Sequence, residues 1–151
     1  MESQQPLTVM QAIEAARAAL SYPDNLALSN ETIPDVLARA VASYSSKPAY
    51  TCMGHTLSYA KLDALSLQFA AYLQNHTDLK PGDRIAIQLP NILQYPVVAF
   101  GALRAGMVIV NTNPLYTPRE MEHQFTDSGA KAIVILANMA HKLEEILPNA
   151  V

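Results

Sequence analysis

The chain has 151 residues, of which half are hydrophobic and 15% charged, with a formal net charge of −3. This is the composition of one globular domain rather than a disordered segment, and such a domain buries roughly 68–70% of its unfolded surface. With no basic surplus to neutralise phosphates, composition argues against an electrostatic nucleic-acid binder.

The single cysteine, Cys52, cannot form an intrachain disulfide and fits a reducing compartment, or simply a place in the core. Between Met1 and Leu20 the apolar residues are interrupted by Glu2, Glu14 and Arg17, so no signal-peptide core is read. The longest apolar stretch, Pro96 to Leu103, is far short of the ~20 residues needed to span a bilayer. These features predict a soluble cytoplasmic chain.

Residues 8–20 predict a short amphipathic helix, followed by a loop through Tyr22-Pro23-Asp24-Asn25. Residues 1–24 are read as an N-terminal extension and 25–151 as the main α/β part. Thr32 with Asp35 three positions later reads as a capping box, opening a helix with Ile33, Val36, Leu37, Ala40, Val41 and Tyr44 at helical spacing. Lys47-Pro48 ends it. Two extended runs, Ala49–Met53 and Thr56–Tyr59, flank Gly54-His55 and predict a hairpin. A long helix follows over about 60–76, with Leu62, Leu65, Phe69, Ala70 and Leu73 on one face and Ser58 as its N-cap.

From Lys80-Pro81-Gly82-Asp83 onward the pattern changes to alternating strand and helix. Arg84–Leu89 predicts a strand. Asn91 and Gln94 make a cap-like pair before a helix over 92–105, which is apolar on most faces and so buried on several sides. Gly106 suits the left-handed position past its end. Met107–Val110 predicts a second strand. Thr117-Pro118-Arg119-Glu120 opens the next helix with N-cap, proline and acidic third residue, and Ser128-Gly129 closes it. Ala132–Leu136 predicts a third strand, and Asn138 the cap of a last helix.

Strands without alternation, separated by helices, predict a parallel sheet covered on both faces. The fold class is therefore α/β, a partial parallel sheet flanked by helices and preceded by a small hairpin. The run stops after a helix with no clear strand following, leaving at least one long hydrophobic edge. That pattern predicts either a chain cut from a longer protein or an edge covered by self-association.

Chemistry-bearing clusters are sparse. His55, His76, His123 and His141 lack ligand spacing, so no metal site is expected. Ser58, Ser66 and Ser128 lack the context of a hydrolase nucleophile. Glu120, Glu122, Asp127, Glu144 and Glu145 read as solvated helix charges. Gly54, Gly82, Gly101, Gly106 and Gly129 are too dispersed to cradle a phosphate through clustered backbone N–H groups.

In open parallel sheets, ligands bind beyond the carboxyl ends of the strands. The connections there are Pro90-Asn91, Asn111–Tyr116 and Ala137-Asn138. Asn91 and Asn138 are read as caps. Asn111, Thr112, Asn113 and Tyr116 are the candidate substrate-side residues, because residues 111–117 exceed what a tight strand-to-helix connection requires. No catalytic residue is assigned.

Two segments carry a resemblance. Leu57-Ser58-Tyr59-Ala60-Lys61-Leu62 resembles the first core motif of the adenylate-forming superfamily, with Lys61 in place of the usual acidic residue. Leu103-Arg104-Ala105-Gly106, running through Met107–Asn111 to Asn113-Pro114, resembles the second. Lys80–Ala86 and Leu89-Pro90-Asn91 fit between them in the same order. Asn91–Pro96 and Asn113–Glu120 look specifically like the bacterial long-chain fatty acid–CoA ligases.

The resemblance runs from about residue 25 to the end and implies the first portion of the large N-terminal domain of such an enzyme. It implies ATP, magnesium and CoA as requirements of the whole enzyme, and fatty acid as its substrate. It also implies a cytoplasmic place, with peripheral contact at the inner membrane among the options. The family's phosphate-wrapping loop, magnesium-binding Thr-Glu pair, ribose-binding Asp and catalytic Lys have no counterparts here. The chain alone is therefore expected to bind none of these cofactors tightly and to be inactive. The alternative is a free-standing α/β module that self-associates through its sheet edge.

Overall fold

A computed structural model describes residues 8–19 and 30–147, which fall into two compact units, Met1–Asn30 and Glu31–Val151. The expected loop at Tyr22–Asn25 and the chain end at Pro148–Val151 lie outside the described residues.

In the first unit, α1 (Val9–Ala19) is the expected short helix. Thr8 caps it: its Oγ1 accepts from Gln11 N at 3.3 Å, while Gln11 Oε1 accepts from Thr8 N at 2.9 Å. This is a capping box written with glutamine.

The second unit opens with α2 (Ile33–Tyr44), begun by the expected box: Asp35 N donates to Thr32 Oγ1 and Thr32 N to Asp35 Oδ2. An antiparallel hairpin follows, β1 (Pro48–Cys52) with β2 (His55–Ser58). Its turn is Met53-Gly54, one residue earlier than expected. Cys52 pairs with His55, and both turn residues have positive φ, +50° and +78°. Two left-handed residues give the twist that suits a two-residue hairpin turn, so His55 belongs to the strand.

The hairpin leads directly into α3 (Tyr59–His76), capped by Ser58, whose Oγ accepts from Lys61 N at 3.2 Å. The remaining elements are β3 (Arg84–Gln88), α4 (Gln94–Arg104), β4 (Val108–Asn111), α5 (Pro118–Ser128), β5 (Ala130–Ile135) and, after a 3₁₀ turn at Ala137–Met139, α6 (Ala140–Glu144). β3, β4 and β5 form a parallel sheet in the order β4-β3-β5, with β3 central. The α/β parallel architecture is as expected. The outer strands are four and six residues long, so neither edge is the long one anticipated.

β3 explains its own burial. Its residues alternate between the two faces of the sheet. Ile85 packs with Ala70 and Leu73 of α3, Ala102 of α4, and Ala105 and Met107 just beyond α4, and Ile87 with Leu89 and Val98. Ala86 faces the other way, toward Met121, Phe125 and Ile146. α3 and α4 approach closely where α4 carries Gly101. A Cβ there would lie 2.8 Å from both Ser66 O and Phe69 Cδ1. Arg104 reinforces the contact with a charge-assisted bond to Asp63 Oδ1 and a second bond to the Asp63 carbonyl.

Two expected caps are corrected. α4 begins at Gln94 after Leu93, with no side-chain cap, and Asn91 lies two residues further out. Backbone bonds from Ile92 N to Pro90 O and Tyr95 N to Ile92 O tighten the entry instead. Asn138 likewise sits inside the 3₁₀ turn and caps nothing, because the chain turns before α6 begins.

Candidate functional site: the connection between β4 and α5

The carboxyl ends of the three parallel strands lie on one side of the sheet, and the connection from Asn111 to Thr117 crosses there. It is ordered first by its own residues. Asn113 Oδ1 accepts from Leu115 N at 2.9 Å, and Tyr116 N donates to Asn113 O at 3.1 Å. This is an Asx turn, in which a side chain substitutes for a backbone acceptor. Thr112 N donates back to Ile87 O at 3.0 Å, which extends the β3–β4 ladder by one bond and buries Thr112.

The connection ends in a capping box. Thr117 Oγ1 accepts from Glu120 N, and Glu120 Oε2 accepts from Thr117 N at 2.8 Å and from its hydroxyl at 2.8 Å. The Thr117 backbone N–H, followed by the hydroxyl, holds the Glu120 carboxyl below its ordinary range. Glu120 is thus a cap rather than only a solvated charge.

Side chains from outside then fix the connection. Gln88 Nε2, at the end of β3, donates to Asn113 O at 3.2 Å. Gln124 Nε2 on α5 donates to Asn111 O at 3.1 Å. Tyr95 Oη on α4 donates to Asn111 Oδ1 at 2.7 Å, and Lys142 Nζ on α6 donates to Tyr116 O at 3.1 Å. None of these tethers was apparent from sequence spacing. The one available signal was Gln88, a polar residue closing an otherwise apolar run before Leu89.

The candidate residues Asn111, Thr112, Asn113 and Tyr116 are therefore close in chain but differ in environment. Asn111 is exposed and lines an apolar cleft of about 880 Å³ between the outer edge of β4, α4 and the hairpin. Tyr50, Cys52, Tyr95, Pro96 and Phe100 are among the cleft's other walls. Asn113 is exposed, Thr112 is buried, and Tyr116 packs with the core beneath α5 and α6.

Among the described residues, no three His, Cys, Asp or Glu side chains are grouped to hold a metal ion. The glycines with positive φ, Gly54, Gly82, Gly106 and Gly129, occupy separate turns and helix ends. The described residues thus fit neither a magnesium site nor a triphosphate cradle. No helix among the described residues is long and apolar enough to cross a membrane.

Comparison with known proteins bears on the same residues. The family model described as "AMP-binding enzyme" matches residues 37–151. A long-chain-fatty-acid–CoA ligase of Escherichia coli O6:H1 is 54% identical over 117 residues, covering 78% of this chain and 21% of that protein. One from Haemophilus influenzae is 52% identical over 119 residues, covering 79% and 21%. The chain thus spans about a fifth of the length of the curated relatives it matches.

Among solved structures, a benzoate CoA ligase from Burkholderia xenovorans LB400 superposes with a TM-score of 0.72 at 27% identity, covering 78% of this chain and 24% of that one. The N-terminal domain of FACL13 from Mycobacterium tuberculosis gives 0.73 at 25%, covering 80% and 31%. By the span of the family match and the order of its elements, the chain belongs to the AMP-binding, adenylate-forming family of enzymes.

Proposed function

We propose that the protein carrying this chain is a long-chain fatty acid–CoA ligase, and that residues 25–151 supply part of its N-terminal α/β scaffold. The identity of more than half over the matched residues to relatives of that name carries the proposal. In the reaction so proposed, a fatty acid carboxylate attacks the α-phosphate of ATP and pyrophosphate leaves. The CoA thiol then attacks the acyl carbonyl of the adenylate and AMP leaves. The setting is cytoplasmic, with fatty acid, ATP and CoA as partners and peripheral contact with the inner membrane as part of the proposal.

The part assigned to this chain is positional. Its connection at Asn111–Thr117 stands beyond the carboxyl ends of the strands, where parallel sheets receive ligands, and Asn111 and Asn113 are exposed on it. We assign these two residues to the acyl or CoA side of the site, with Thr112 and Tyr116 fixing the backbone beneath them. The magnesium and phosphate contacts do not come from the residues described, so no step is derived through them.

The test compares the 151-residue chain with the polypeptide as its gene encodes it. Acyl-CoA formation from ATP, CoA and a long-chain fatty acid is expected of the latter, and no fatty acid-dependent ATP–pyrophosphate exchange of the former. Exchange by the pure chain would overturn the assignment of scaffold alone. Asn113→Ala is expected to impair turnover, and unchanged kinetics would remove that residue from the site. Self-association through the outer edge of β4, where Val108 is 48% exposed, belongs to the same proposal. Sedimentation of the isolated chain should show a concentration-dependent mass, and a monomer at high concentration would remove it.

A further inference from the structure

Gln88 is the last residue of the central strand and is fully buried, in a strand whose other buried members are Ile85, Ala86 and Ile87. Among the described residues its side chain makes one hydrogen bond, from Nε2 to Asn113 O. Its Oε1 is buried without a partner among the described residues. Gln124 repeats the arrangement from the helix α5, with Nε2 bonded to Asn111 O and Oε1 buried without a partner.

The orientation of both amides is dictated by the carbonyls they meet. Turning either amide over would set Oε1 against a carbonyl oxygen and lose the bond. Both side chains thus point their NH₂ ends at one segment, Asn111–Asn113, and leave their acceptors unused.

Such an arrangement is poorly suited to stabilising the fold. A buried acceptor without a donor offsets what one neutral hydrogen bond contributes, and an apolar side chain of the same shape serves stability equally well. What the amides do supply is geometry. A strand-to-helix connection running over the sheet end would otherwise leave its carbonyls to solvent. Here Gln88 and Gln124 hold two of them from beneath, while Tyr95 and Lys142 hold Asn111 Oδ1 and the Tyr116 carbonyl.

Resting on the ligase reading above, we propose that Gln88, supported by Gln124, is a positioning residue that fixes the Asn111–Thr117 connection for substrate. Its effect passes through the loop, and no contact of its own with substrate is assigned.

The test separates loop order from fold stability. Gln88→Met keeps shape and burial but removes the donor together with the orphaned acceptor. In the isolated chain, its unfolding midpoint in urea is expected to equal or exceed that of the wild type. Amide hydrogen exchange at Leu115 and Tyr116 is expected to accelerate about tenfold, the loss of one hydrogen bond's worth of local protection. In the gene-encoded polypeptide, kcat/KM for acyl-CoA formation is expected to fall by a similar factor without loss of stability.

A second variant supplies a signature that a packing role would not. Gln88→Glu can donate to Asn113 O only when protonated, and burial raises its carboxyl above the ordinary range. Slow loop exchange and activity should therefore persist at low pH and be lost as pH rises through that raised value, a step absent from the wild type. Unchanged exchange at Leu115 and Tyr116 in Gln88→Met overturns the positioning role. So does a loss of activity that merely follows a loss of stability. A wild-type polypeptide forming no acyl-CoA overturns the ligase reading and the substrate part of this proposal, while exchange still decides whether the tether exists.

Discussion

α4 and α5 leave the same end of the same sheet, from neighbouring strands, yet they begin in opposite ways. α5 is started by its own residues: Thr117, Pro118 and Glu120 satisfy the first free N–H groups within one turn of chain. α4 starts after Leu93 with no side-chain cap and no acidic residue in its first turn. Its place is set by what it packs against, namely the close approach of Gly101 to Ser66 and Phe69 and the Arg104–Asp63 ion pair. One helix is specified locally and the other by its neighbours. The segment joining β4 to α5 combines the two, with a local turn and box inside and long-range tethers outside.

The contrast predicts where each helix is vulnerable, and the largest effect belongs to α4. Gly101→Val places methyl groups where even a Cβ would meet the Ser66 carbonyl at 2.8 Å. Backbone on the far side cannot swing away, so the α3–α4 pair must separate at a cost of about 3 kcal/mol. Urea unfolding of the isolated chain measures it. A cost well under 1 kcal/mol would mean that packing on α3 does not hold α4.

The cap variants come next. Thr117→Ala removes the hydroxyl that accepts from Glu120 N and should lower stability by about 1 kcal/mol. Asn91→Ala, at the residue that looks like a cap before α4, should stay within about 0.5 kcal/mol of the wild type, because it makes no cap bond. Equal costs for the two would erase the distinction.

The same contrast explains what could be read without a structure. The boxes at Thr32–Asp35 and Thr117–Glu120, the cap at Ser58 and the left-handed ends at Gly106 and Gly129 all depend on residues a few positions apart. Asn91 and Asn138 have the right chemistry at plausible offsets. Neither caps a helix, because beyond Pro90 and Leu136 the chain first turns tightly and packs Ile92 and Leu136 against the core, which no residue pattern records. Order within the sheet is equally hidden: Arg84–Leu89 reads as a strand, but nothing in it says that β3 lies between β4 and β5.

The candidate site follows the same rule. The 111–117 connection was conspicuous for its length. Its tethers Gln88, Tyr95, Gln124 and Lys142 come from four different elements, and no spacing along the chain predicts their convergence.

The smallest effects concern charge at the two helix starts. Glu120 and Asp35 are both held below their ordinary values, 4.5 and 3.8, by bonds from the threonines they cap. A carboxyl whose folded pKa is depressed contributes stability that is present above its unfolded value and lost as pH falls through its folded value. The difference in unfolding midpoint between the wild type and Glu120→Gln should therefore be largest near neutral pH and shrink on acidification below about pH 4, the ordinary carboxylate range. Glutamine can still reach back to Thr117 N but carries no charge to the helix start.

α4 offers the reciprocal change. Gln94, exposed at its first position, can be replaced by Glu, which places a negative charge beside N–H groups that lack a side-chain partner. The gain should appear as pH rises through the carboxylate range and fade with added salt, since both partners are open to solvent. If Gln94→Glu raised the midpoint by more than Glu120→Gln lowered it, α4 would be the helix limited by its own start. Packing on α3 would then be secondary, and the contrast would have to be reversed.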